Sequence, residues 1–98
     1  MNEAVTVQRE QQGHRGAFFI EQDGGRAAEL TFSATPDGKL VMLDHTEVDP
    51  SLRGQGVARK LVEAAVVWAR QQEIKLVPVC PVATAILRRE PGFRDVLA

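Results

Sequence analysis

The sequence predicts an α+β domain: a mixed, mostly antiparallel sheet that carries one long helix and one short one. Three observations lead there. Short alternating or apolar runs, punctuated by Gly-, Pro- and Asp-rich turns, fill the first half of the chain. A clean 3.6-residue amphipathic pattern runs from about Gly56 to Gln72. An apolar run, Ile74 to Val79, follows at once, and strand, helix and strand in succession read as a right-handed βαβ unit.

Residues 4–9 alternate, with Val5 and Val7 on one side, and read as a first strand. Residues 11–16 read as a polar connection, and 17–22 (AFFIEQ) as a second strand. Asp23-Gly24-Gly25 supplies a tight turn. Ala28, Leu30 and Phe32 alternate with polar residues in a third strand, Thr35-Pro36-Asp37-Gly38 turns again, and Leu40 to Val48 is the fourth. On the long helix, Val57, Ala58, Leu61, Val62, Ala64, Ala65, Trp68 and Ala69 share one stripe, with Val67 the apolar exception on the other face. The apolar content of Ile74–Val79 predicts a strand buried on both faces. Pro81 precedes a short helix over Ala83–Arg89, Pro91-Gly92 stops it, and Phe93, Val96 and Leu97 are placed to dock the tail.

The 98 residues predict one domain, 1–98. A net charge of -1 gives no electrostatic case for nucleic acid or for a membrane surface. One cysteine cannot form an internal disulfide, which fits a reducing compartment. The first residues lack a signal-peptide pattern and no apolar run reaches membrane-span length, so a cytoplasmic protein is expected. No metal site is expected. Exposed edges of a small sheet allow a monomer or a weak dimer.

The loop between the fourth strand and the long helix is the most informative stretch. The first turn of any helix leaves backbone N–H groups without partners, and Ser, Thr, Asp or Asn ordinarily caps them. Here Arg53, Gly54, Gln55 and Gly56 come before the helix, and none is a good cap. Such an end is suited to an anion, above all a pyrophosphate; a glycine-softened loop capped by water is the plain alternative. The loop is neither G-x-x-x-x-G-K-[ST] nor G-x-G-x-x-G, because Val57 follows Gly56 and position 59 is Arg.

Arg53, Gly56 and Ala58 fit the [Q/R]-x-x-G-x-[G/A] motif, between a strand and a long helix. With HTEV (45–48), RGQGVA (53–58) and VPVCP (77–81), the chain resembles the GCN5-related N-acetyltransferases, and most closely their small YjdJ-type subgroup. The resemblance implies acetyl-CoA in a cleft where the fourth and fifth strands part. The pyrophosphate would lie on Arg53, Gly54, Gln55, Gly56, Val57 and Ala58, and the pantetheine arm along the fourth strand near Glu47 and Val48. It implies acetyl transfer to an amine, on a small molecule or a protein lysine, with a backbone N–H polarising the thioester carbonyl. Larger members have helices between the first two strands and continue beyond the final helix; without these, an open and shallow acceptor site is expected.

Three residues are candidates for the chemistry. Acetyl transfer needs a neutral amine, hence a base. His45 and Glu47 lie two apart on a strand and share a face, unless a bulge changes the register; a purely structural His45 is the alternative. Cys80 falls at the end of the fifth strand, next to a helix start that favours a thiolate. It reads as an acetyl carrier, as a thiol lining the site of the CoA sulfur, or as a packing residue. The chain has no tyrosine, so the tyrosine acid of many larger members is absent. That absence also supports a second reading, a non-catalytic CoA-binding or protein-interaction module.

Overall fold

The structure, a computed structural model, describes residues 6–98. Five strands form one sheet in the order β1-β2-β3-β4-β5: Gln8–Gln12, Arg15–Gln22, Gly25–Ala34, Leu40–Val48 and Lys75–Pro78. β1 to β4 are an antiparallel meander, and β5 joins β4 in parallel. Helix α1 (Val57–Gln72) connects β4 to β5, and α2 (Pro81–Arg89) follows. The expected mixed sheet with one βαβ unit is the observed one.

Three strands differ from their sequence reading, β2 by beginning at Arg15, two residues before its expected start. β1 is at Gln8–Gln12 rather than residues 4–9, and 11–12 belong to the strand instead of a connection. Val5 lies outside the described residues. Every β1 residue is exposed, so the strand carries no alternation to detect; its pairing with β2 places it, across a two-residue turn in which Gly13 has φ +62°. β5 is a short edge strand, not one buried on both faces: Leu76 is buried, whereas Lys75 is exposed and Val77 half-buried. An apolar run cannot distinguish these cases, because its outer residues are covered or not by elements elsewhere in the chain. α2 begins at Pro81, two residues before its expected start, with proline's fixed φ suited to the first turn.

α1 buries Val57, Leu61, Val62, Ala65, Val66 and Ala69 against the sheet, while Ala64 and Trp68 are half-buried and Val67 is exposed. Val66 enlarges the expected stripe. Phe18, Phe32 and Trp68 pack with ring centroids 5.2–5.6 Å apart, tying β2 and β3 to the helix.

The tail closes the far end. Arg70 on α1 grips Asp95 with two bonds of 2.9 Å and donates to the Gly92 carbonyl, and the Ala98 N–H donates to Leu76 at 3.0 Å. The bonds donated by Arg70 hold the Asp95 carboxyl below its ordinary range, against the opposing effect of burial. A lowered carboxyl stabilises the fold above its unfolded pKa, and that contribution fades as pH falls through the folded value. Thermal melts of wild type and Asp95→Asn should therefore differ most above about pH 4 and converge below it. An unchanging gap down to strong acid would show that the charge is irrelevant to the clamp.

Candidate functional site

β4 and β5 pair from Leu40↔Lys75 to Leu43↔Pro78, and there the pairing stops. The Leu43 carbonyl accepts from both Val79 and Cys80 N–H, each at 3.0 Å, as the chain turns away into α2. β4 continues to Val48, paired on that stretch with β3 alone. A wedge therefore opens beside residues 44–48. The Asp49 N–H donates to Ala27 on β3, and the alternation of an antiparallel ladder then turns the N–H and C=O of Thr46 and Val48 towards the wedge.

The loop from β4 to α1 forms the floor at one end. Asp49 accepts from the N–H and hydroxyl of Ser51 at 2.9 and 2.8 Å, which holds its carboxyl below the usual range and caps a 3-10 turn, Pro50–Leu52. Leu52 packs on the core and Val57 is buried, so the loop is anchored on both sides. Between these anchors Arg53, Gly54, Gln55 and Gly56 are exposed. Gly54 and Gly56 have φ of +81° and +72°, which a side chain resists, and open space lies where their Cβ atoms would be. Gly56 is the N-cap of α1, and no side chain caps that end. The uncapped helix start expected from sequence is present.

Cys80 is at the other lip. The fifth strand ends at Pro78, so Cys80 is the N-cap of α2 rather than a strand residue. Its side chain is buried and joins the core at 5% exposure. Thr46 Oγ1 lies 3.1 Å from its sulfur, in a bond that either atom can donate. Burial alone would push the thiol up. Burial is the largest single influence, but the Thr46 hydroxyl and the Ala83, Val82 and Thr46 N–H groups directed at the sulfur together outweigh it, and the net shift is downward.

His45 and Glu47 share the outer face, as their spacing requires, and both are exposed. A bulge produces this arrangement. Phe32 pairs with Leu43 and Thr31 with His45, which leaves Asp44 outside the backbone register with β3, its carboxylate accepting from the Ser33 hydroxyl. Val41 and Leu43 point into the core before it; Thr46 and Val48 turn inward after it. The structure thus brings Thr46 and Cys80 together and keeps His45 and Glu47 on the opposite face of β4. Thr46 escaped the sequence reading, since only the shifted register and the turn at Pro78 bring it to the sulfur. His14 lies in the β1–β2 turn and Trp68 in the aromatic cluster. An open depression of about 670 Å³ lies away from the wedge on the outer sheet face, where Arg26 already pairs with Glu10 and Glu29 at 2.6 and 3.2 Å.

Residues 17–96, from β2 through to the tail, match the family model described as GCN5-related N-acetyl-transferase. The chain belongs to this family. Among solved structures, a GCN5-like protein from Staphylococcus aureus, provisionally assigned as an N-acetyltransferase, is 32% identical, with a TM-score of 0.70 over 93% of this chain and 87% of that one. Two more distant proteins share the fold. A ribosomal-protein-alanine N-acetyltransferase from Brucella melitensis biovar Abortus 2308 is 23% identical, with a TM-score of 0.61 over 89% of this chain and 64% of its own. AAC(6')-Iy, solved with a bisubstrate analogue of CoA and acetylneamine, is 21% identical, with a TM-score of 0.55 over 84% of this chain and 62% of its own. No curated protein matches the chain. As a GCN5-related N-acetyltransferase the protein falls among enzymes of acetyl transfer. Among the described residues there is no cluster of metal-ligating side chains, and no helix is long and apolar enough to cross a membrane.

Proposed function

We propose that this single domain binds acetyl-CoA in the β4–β5 wedge and transfers the acetyl group to an amine, on a small molecule or a protein lysine. The observation that carries the reading is the continuity of the wedge: an uncapped helix start, an open strand edge and a thiol follow one another along β4. The pyrophosphate takes the N–H groups of the Arg53–Ala58 loop, with Arg53 adding charge. Pantetheine runs along the backbone of Thr46–Val48, in the manner of an added strand. A β4 N–H turned to the wedge polarises the thioester carbonyl. Nothing in this path calls for a metal.

Cys80 belongs to the reacting centre. Its thiolate attacks the thioester carbon, a C–S bond to Cys80 forms, and the bond to the CoA sulfur breaks. CoA leaves as a thiolate that takes up a proton. An amine then attacks acetyl-Cys80, its proton passes through water to His45 or Glu47, and the Cys80 thiolate is restored. The HTEV, RGQGVA and VPVCP segments support placement in the small YjdJ-type subgroup.

Calorimetric titration with acetyl-CoA tests binding, and an absence of heat at millimolar cofactor would overturn the reading. Intact-mass spectrometry tests the chemistry: wild type should gain one acetyl group and Cys80→Ser none. The orientation of His45 and Glu47 away from Cys80 favours the second reading, a CoA-binding module without turnover. Tight binding, no adduct and no product across a broad amine panel would establish that one.

A further inference from the structure

We propose that Thr46 is a positioning residue for the Cys80 sulfur, its hydroxyl selecting the orientation and the protonation state in which that sulfur faces the wedge. This rests on the reading that Cys80 belongs to the reacting centre.

The geometry is specific to this residue. Cys80 is the one cysteine, and it is 5% exposed, so water alone cannot solvate a charge on it. Its side-chain hydrogen-bond partner is Thr46 Oγ1 at 3.1 Å. A hydroxyl is both donor and acceptor. It accepts from the neutral thiol and, by rotation about one bond, donates to the thiolate. The sulfur is thus held in one place whichever form is present. Thr46 is able to do this because the Asp44 bulge turns it inward, next to the turn where β5 ends.

Among the described residues no charged side chain competes for the role. The groups acting on the sulfur come from β4, through Thr46, and from α2, through the Val82 and Ala83 N–H groups at a helix start with no side-chain cap. The ionisable neighbours on β4, His45 and Glu47, are exposed on its other face, and the basic residues of α2, Arg88 and Arg89, are in its last turn. Removing the Thr46 hydroxyl leaves burial opposed only by backbone dipoles.

The test is a pH titration of the ultraviolet thiolate band, with Cys80→Ser as the blank. The chain has one cysteine and no tyrosine, so phenolate does not obscure the signal. Thr46→Val keeps the shape and removes the hydroxyl; its midpoint should rise by about one pH unit, the worth of one hydrogen bond to a charged sulfur. Thr46→Ser should stay within a few tenths of a unit of wild type. The thiolate fraction near neutral pH then falls about tenfold, but a more basic thiolate is more nucleophilic, so acetylation of Cys80 should slow only about three- to fivefold. If Thr46→Val does not fold, Thr46→Ala makes the same deletion. A wild-type midpoint in the hydroxyl-deleted variant, or an equal shift in Thr46→Ser, overturns the proposal. Shifted midpoints without any acetyl adduct in wild type uphold Thr46 and overturn the acetyl-carrier reading instead.

Discussion

Gly56→Leu should weaken acetyl-CoA binding about a hundredfold, the equivalent of two charge-assisted hydrogen bonds lost to the backbone. The residue marks the uncapped start of α1, and a side chain there would project into the open space beside the first-turn N–H groups. A substitution at φ +72° also strains the backbone, by about 1–2 kcal/mol. Gly38→Leu separates the two effects. Gly38 has φ +73° and equally open surroundings, but it lies in the β3–β4 turn. Both variants should lose similar stability in urea, and only Gly56→Leu should lose affinity in calorimetry. Equal affinities in the two would place the pyrophosphate elsewhere.

Gly16→Ala is the second large effect, and it concerns stability. Gly16 has no positive φ; its constraint is a close approach. A Cβ there would meet the Glu10 carbonyl oxygen on one side and the Phe32 ring on the other, with Cζ at 2.5 Å. The ring belongs to the aromatic cluster with Phe18 and Trp68 and cannot retreat without unpacking it. The expected loss is about 2–4 kcal/mol, a large share of the stability of so small a domain. Adding Phe32→Leu should return part of that loss relative to the sum of the single changes, because it relieves the ring contact but not the carbonyl contact. Gly25→Ala, with nothing near its Cβ, should change the urea midpoint little. A Gly16→Ala protein as stable as Gly25→Ala would show that β1 moves freely on β2.

What the sequence discloses, it discloses through periodicity and through missing partners. α1 is legible because its buried positions recur every third or fourth residue. β4 is legible because turns bound it on both sides. The open helix start is legible because Arg53-Gly54-Gln55-Gly56 contains no capping side chain. β1 was hidden for the opposite reason: Gln8–Gln12 buries nothing, so only its partner strand defines it. The uncovered outer face of β5 was hidden because an apolar run does not state what covers it. At the site, the shared face of His45 and Glu47 follows from strand geometry. The contact between Thr46 and Cys80 does not, because 34 positions separate them and a bulge with no sequence signature sets the register.

That bulge makes the site a matter of parity. On either side of Asp44, β4 obeys the same rule of alternation, but the count restarts, so odd positions point inward before it and even positions after it. The portion that packs the core and the portion that borders the wedge are phased independently. Substitutions at Val41 or Leu43 test the first portion without re-aiming the second. A one-residue insertion between them would exchange inside for outside along the whole rim, placing His45 and Glu47 where Thr46 and Val48 now stand. In such a strand the identity of the side chains and the number of residues before them are separate determinants of chemistry, and a variant can preserve every functional residue while losing the site.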